Sequence, residues 1–226
     1  MMAFFAFASR TEVGKLLAER LEKRRFERPV VLALPRGGVP VALEVARALK
    51  APLDLILVRK IGVPWQPELA AAAIVDGERR ELILNEEVIA ITGIGKDEIE
   101  RLAAKQLAEI ERRRTLYLND RQPVSVAGST AIVVDDGIAT GTTVKAALQA
   151  LRKRNPKRLV LAVPVAPPGT IEDLRSYVDE IVCLEQPEPF YAIGAFYRDF
   201  HQVADEEVVE MLTAAASDAP ASSPKV

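Results

Sequence analysis

The chain reads as a doubly wound α/β domain, a mainly parallel sheet with helices on both faces. Three observations predict it. Short apolar, β-branched runs recur at 30–34, 53–58, 130–134 and 158–164. Segments of helical periodicity separate them, and parallel strands need such crossovers. At 226 residues the chain can bury roughly 70 to 75 % of its unfolded surface, enough for one large domain without staples.

Residues 1–8, MMAFFAFA, carry no basic stretch and are too short to span a bilayer, so they read as a first buried segment. Val13, Leu16, Leu17 and Leu21 then mark an opening helix over 11–25. The first core strand, 30–34, runs into the tight loop Pro35, Arg36, Gly37, Gly38, and Pro40 opens a helix to Leu49. A second core strand covers 53–58 and is ended by Arg59 and Lys60. Further strands at 69–75 and 81–84 flank a turn at Asp76 and Gly77, and Asn85 caps a short helix. A long charge-laced helix over 96–117 places Ile99, Leu102, Ala103, Gln106 and Ile110 on one side. The strand 130–134 opens onto Asp135, Asp136 and Gly137, and a helix follows over 142–153. Another strand at 158–164, a helix at 170–177, a last strand at 180–184 and a helix at 205–212 complete the domain. The expected limits are 1–214 for the domain, with a helical insertion near 85–120 and a hood near 185–203. From about Ala215 the composition of Ala, Ser, Pro and Asp reads as a disordered tail to 226.

Composition excludes several function classes. Lys and Arg number 30 against 32 Asp and Glu, so no global field attracts nucleic acid or an anionic membrane. One cysteine, Cys183, and one histidine, His201, allow no disulfide and no His/Cys zinc site. No apolar run approaches the roughly 18 residues of a membrane span. A soluble, unprocessed cytoplasmic protein is expected, with a homodimer left open.

The chemistry concentrates in 131–144, AIVVDDGIATGTTV. A buried strand delivers Asp135 and Asp136 to its carboxyl end, where open α/β sheets bind ligands. Ala139, Thr140, Gly141, Thr142 and Thr143 then lead into a helix N-terminus whose unpaired N–H groups hold anions. Carboxylates accept hydrogen bonds while the helix end donates them, so a molecule carrying both a diol and a phosphate satisfies the pair, and ribose 5-phosphate is one. Thr142 after Gly141 is not the lysine of a Walker loop. Paired aspartates also bind Mg²⁺ or accept a phosphoryl group in receivers, but neither role explains the threonines downstream.

This stretch resembles the signature of the type I phosphoribosyltransferases, a hydrophobic strand, two acidic residues and a Thr-Gly-Thr loop. The resemblance implies that Asp135 and Asp136 hold ribose hydroxyls and that Ala139 to Thr143 hold the 5-phosphate of 5-phosphoribosyl 1-pyrophosphate (PRPP). Two more segments resemble the family in the same chain order. LPRGG, with Arg36, Gly37 and Gly38, matches its pyrophosphate loop. VRKIGVP, with Arg59 and Lys60, matches the stretch that neutralises departing pyrophosphate in adenine and orotate phosphoribosyltransferases. The implied reaction is displacement of pyrophosphate at the anomeric carbon, in nucleotide metabolism. Mg²⁺ is then held mainly through the substrate.

The catalytic acid or base is not assigned. Glu68, Glu86, Glu87 and Arg112, Arg113, Arg114 stand as unranked candidates in and around a segment where the family has a mobile loop. Of the 7 Phe and 4 Tyr residues, Phe190, Tyr191, Phe196, Tyr197 and Phe200 fall in the hood stretch FYAIGAFYRDF. The cluster suits a stacking wall of Phe190 and Tyr191 for a planar nitrogenous acceptor, and equally the packing of the hood onto the sheet. His201 is left as structural and Cys183 as a buried inert thiol. The rival readings are a regulatory module that senses PRPP without catalysis, and another sugar-phosphate enzyme on the same scaffold.

Overall fold

The computed structural model describes residues 7–77, 80–119 and 121–218. Its strands are β1 (Pro29–Ala33), β2 (Leu53–Leu55), β3 (Leu57–Val63), β4 (Gln66–Asp76), β5 (Glu81–Leu84), β6 (Thr130–Val134), β7 (Arg158–Val165) and β8 (Glu180–Glu185). Its helices are α1 (Arg10–Glu22), α2 (Gly38–Leu49), α3 (Glu86–Thr92), α4 (Lys96–Leu118), α5 (Thr142–Lys153), α6 (Pro168–Leu174) and α7 (Asp205–Asp218). Five strands form a parallel sheet in the order β2-β1-β6-β7-β8. Val30 pairs with Ala131 and Ile132 with Val160, so β6 lies at the centre.

Alternation along these strands explains the double winding, because successive side chains leave opposite faces. Val31, Ala33, Ile132, Val134, Val160 and Ala162 enter one apolar cluster, together with α1, α2 and α7. Val30, Leu32, Ala131, Val133, Leu159 and Leu161 enter the other, under α5 and α6. Both faces are therefore dry, and the strand ends are left to carry polar groups.

Three features depart from the sequence reading. The second core strand is short: the chain breaks at Ile56, and Arg59 and Lys60 lie inside β3 instead of ending β2. Strands β3, β4 and β5 form a separate antiparallel sheet, since the links at 64–65 and 77–80 are too short for parallel crossovers. Finally, α7 continues through Asp218, past the expected end at Leu212. Val208 and Leu212 are buried and Ala215 packs on the core, so the apolar stripe persists where composition alone read a tail. Residues 219–226, like 1–6 of the expected first buried segment, lie outside the described residues. Phe7 is buried and donates its N–H to the Phe196 carbonyl at 2.8 Å, tying the chain start to the hood.

The long helix α4 lies over the smaller sheet with Ile99, Ala103 and Ile110 buried, and Leu102 and Gln106 half-buried beside them. This is the face its periodicity predicts.

Candidate functional site

The site forms where β6 stops. Beyond Val134 the chain turns through Asp135 and Asp136, and the Ile138 N–H is fixed to the Val165 carbonyl of β7 at 2.9 Å. Thr170, on α6, donates to the Ala139 carbonyl at 2.7 Å and holds the loop from outside. Gly141 caps α5 with φ 73°, a left-handed conformation that costs glycine little, and no side chain caps the helix. The first N–H groups of α5 therefore stay available to an anion. Asp135, Thr140, Gly141, Thr142 and Thr143 line one cavity of about 170 Å³, and Ile193 closes it from the hood.

The two carboxylates are unequal. Asp136 is buried and receives Arg10 Nε at 2.7 Å, while its N–H donates to Asp135 Oδ1 at 2.8 Å. Burial raises the Asp135 carboxyl well above its ordinary range, and the neighbouring Asp136 charge adds to this. Burial also raises Asp136, opposed by Arg10.

The loop after β1 packs against this pair. A Cβ on Gly38 would lie 2.8 Å from the Val134 carbonyl oxygen and 3.0 Å from Asp135 Cα. The Pro35–Arg36 peptide is cis. Arg36 reaches Asp205, at the start of α7, at 3.3 Å, and Asp205 also accepts the Tyr117 hydroxyl of α4. The Tyr117 bond is the main reason the Asp205 carboxyl sits below its usual range. Burial, with the Asp205 bond next, pushes Tyr117 up to about 12.

Arg59 and Lys60 are adjacent on β3 and so leave opposite faces of the strand. Arg59 Nε donates to Gln106 of α4 at 3.2 Å. Lys60 is exposed and shares its face with Val58, which packs on the cluster beneath α5. In the hood, Phe190 stacks at 5.0 Å on buried Phe196, whereas Tyr191 is 76 % exposed.

The remaining candidates disperse. Glu68 is exposed on β4, and Glu86 and Glu87 open α3 beside a neighbouring groove of about 280 Å³ along α5, which shares Thr142 with the site cavity. Arg112 and Arg113 pair with Glu109 at 2.8 and 2.7 Å, and Arg114 with Asp76 at 3.0 Å. Arg112 also approaches Asp205 at 3.9 Å. His201 points its ring nitrogens at Asp199 and Glu207, and burial pushes the Cys183 thiol up to about 11.

Arg10, Ile193, Asp205 and Tyr117 were not among the residues that sequence reasoning selected. One signal was available for Arg10: it directly follows the N-cap Ser9, where the helix dipole disfavours a cation. Among the described residues no three His, Cys, Asp or Glu side chains gather as a metal cage, and no helix is long and apolar enough to cross a membrane. Two adjacent carboxylates, one engaged by arginine, suit a Mg²⁺ ion brought with a phosphorylated ligand better than a resident one.

Comparison with known proteins bears on the family and the fold. The family model described as the phosphoribosyl transferase domain matches residues 7–201. Two Mycobacterium tuberculosis proteins named "Putative phosphoribosyl transferase" are each 45 % identical over 212 residues, 94 % of this chain. The chain spans about half the length of these curated relatives, 47 %. The crystal structure of TT1426 from Thermus thermophilus superposes with a TM-score of 0.80 at 41 % identity, covering 93 % of this chain and 99 % of that one. Signature, fold and family match converge: this chain belongs to the phosphoribosyltransferase family.

Proposed function

We propose that the chain transfers the 5-phosphoribosyl group of PRPP to a planar nitrogenous acceptor, releasing pyrophosphate. The observation that carries this reading is the shared cavity of Asp135 and the threonine loop, one wall accepting hydrogen bonds and the other donating them. Ribose hydroxyls meet the acidic loop of Asp135 and Asp136. The 5-phosphate meets the backbone N–H groups and hydroxyls from Ala139 to Thr143. Gly37 and Gly38 bring backbone against the acidic pair, where pyrophosphate leaves, and Arg36 turns from Asp205 towards it. Lys60 supplies further positive charge, while Arg59 is held by Gln106.

The anomeric carbon loses pyrophosphate while the acceptor nitrogen approaches, so positive charge grows on the ribose ring and negative charge on the leaving group. The protein's part is positioning and charge stabilisation. When bound with the substrate, Mg²⁺ neutralises pyrophosphate oxygens. Tyr191 and Phe190 stand at the hood for the acceptor. Soluble cytoplasmic action fits a phosphorylated substrate of this kind.

The test is an acceptor screen with PRPP and Mg²⁺, read as pyrophosphate release, beside calorimetry of PRPP alone. Release with one planar acceptor is expected. PRPP binding without release from any acceptor turns the reading towards the sensing module, and failure to bind PRPP overturns it.

A further inference from the structure

Resting on the phosphoribosyl reading of the site, we propose that Asp205 is a positioning residue that competes with pyrophosphate for Arg36. It holds the arginine while the site is empty, and Arg112 takes over on Asp205 when pyrophosphate draws Arg36 away.

Asp205 opens α7, where an acidic side chain suits the helix dipole. Its Oδ1 accepts two donors, Arg36 at 3.3 Å from the loop after β1 and the Tyr117 hydroxyl at 2.5 Å from the last turn of α4. Its Oδ2 faces Arg112, also on α4, at 3.9 Å. The three donors are not equally free to move. Tyr117 is buried, whereas the side chains of Arg36 and Arg112 are 28 % and 53 % exposed. The tyrosine is therefore the fixed partner of Asp205, and the arginines are the exchangeable ones. Arg36 is also held loosely, since it shares one oxygen with Tyr117 and lies beyond the roughly 2.7 to 2.9 Å of a tight charge-assisted bond.

The backbone at Arg36 can stay where it is. Its carbonyl accepts the Val39 N–H at 3.1 Å, and the Gly38 N–H is fixed to the Leu34 carbonyl at 3.0 Å, so only the side chain changes partner. Taking a cation off a partly buried carboxylate is costly when nothing replaces it. Here Tyr117 remains, and Arg112 already stands within ion-pair range, anchored by Glu109 at 2.8 Å. A small approach by Arg112 satisfies Asp205 without Arg36. The exchange links the leaving group to α4, which among the described residues lines no part of the threonine-loop cavity. Asp205 thereby limits how tightly pyrophosphate is held and reclaims Arg36 as it departs.

Calorimetry of pyrophosphate with Mg²⁺, and of ribose 5-phosphate as the control ligand, on Asp205→Asn, Arg36→Gln, their combination and Arg112→Gln tests this. Asparagine still accepts the Tyr117 hydroxyl but lacks the charge that holds Arg36. Asp205→Asn should therefore tighten pyrophosphate about fivefold and leave ribose 5-phosphate within about twofold. A damaged fold does not produce such a gain. Arg36→Gln should weaken pyrophosphate about tenfold and, in the combination, abolish the gain from Asp205→Asn. Arg112→Gln should weaken pyrophosphate about threefold, because Asp205 then keeps Arg36. Unchanged or weaker pyrophosphate binding in Asp205→Asn overturns the competition. A gain that persists without Arg36 overturns it too, as mere relief of negative charge, and Arg112→Gln equal to wild type overturns the exchange. If wild type binds neither ligand, the phosphoribosyl reading falls and the role of Asp205 with it. Ribose 5-phosphate binding with no pyrophosphate binding in wild type or Asp205→Asn sinks the role of Asp205 alone. Should Asp205→Asn fail to fold, Asp205→Ser takes its place in the cycle.

Discussion

A Cβ on Gly37 would fall 2.0 Å from the Asp136 carboxylate oxygen, so the loop after β1 and the loop after β6 are in contact at a point that only glycine permits. The two loops come from neighbouring strands of one parallel sheet, and their meeting is what turns two unrelated turns into one site.

Gly37→Ala should therefore hurt twice. Asp136 cannot yield freely while Arg10 holds it, so overpacking should cost about 1 to 3 kcal/mol of stability, visible as a lower midpoint in urea. Pyrophosphate binding, measured by calorimetry on the folded fraction, should fall more than inorganic phosphate binding. A variant as stable as wild type would mean that the two loops part easily.

Arg59 and Lys60 offer a sharper test than their shared motif suggests. Strand alternation sends them to different faces, and Arg59 is engaged with Gln106. Lys60→Ala should weaken pyrophosphate about fivefold or more, whereas Arg59→Ala should change it less than about twofold. Equal losses for the two single variants would show that the strand twists or bulges to bring both to the ligand.

The parts of the molecule that were legible in sequence are those set by local chemistry. β6 and α5 fall at the expected residues because a five-residue apolar run, two acids and a glycine leave little choice of boundary. The Asn85 cap was legible for the same reason, and its side chain accepts the Val88 N–H at 3.3 Å. What stayed hidden is set by distance along the chain. Arg10 lies 126 residues from Asp136, and Tyr117 lies 88 from Asp205. No periodicity encodes such pairs. The turn at Asp76 and Gly77 was legible between β4 and β5, but that β3, β4 and β5 stand apart from the parallel sheet is set by long-range pairing that no local pattern encodes.

His201 makes stability depend on pH in a defined direction. Its hydrogen bond to Asp199, then that to Glu207, raises its pKa above the ordinary 6.5. A raised folded-state value means that the protonated form stabilises the fold. That contribution is complete below the unfolded pKa and disappears as pH rises through the folded one. Thermal midpoints of wild type and His201→Gln should differ below about pH 6 and converge in mildly alkaline buffer. A gap that widens with pH would reverse the assignment.

Phe190 and Tyr191 are neighbours with opposite surroundings, and this separates packing from recognition. Phe190 is half-buried, stacked on Phe196 at an interplanar angle of 33° and packed on the main cluster. Tyr191 is 76 % exposed at the hood, and among the described residues no ring contact engages it. Phe190→Ala should cost about 2 kcal/mol of stability through lost apolar burial and a partial cavity. Tyr191→Ala should leave stability within about 0.5 kcal/mol of wild type. If a planar acceptor stacks at the hood, Tyr191→Ala should still lower its affinity by about 1 to 3 kcal/mol while PRPP affinity holds, and Tyr191→Phe should restore it. Thermal shifts with a panel of purines and pyrimidines, run with PRPP present, read both effects together. An acceptor response that survives Tyr191→Ala but fails in Phe190→Ala only as fast as the fold itself melts would assign the hood aromatics to packing and move the acceptor wall to Ile193.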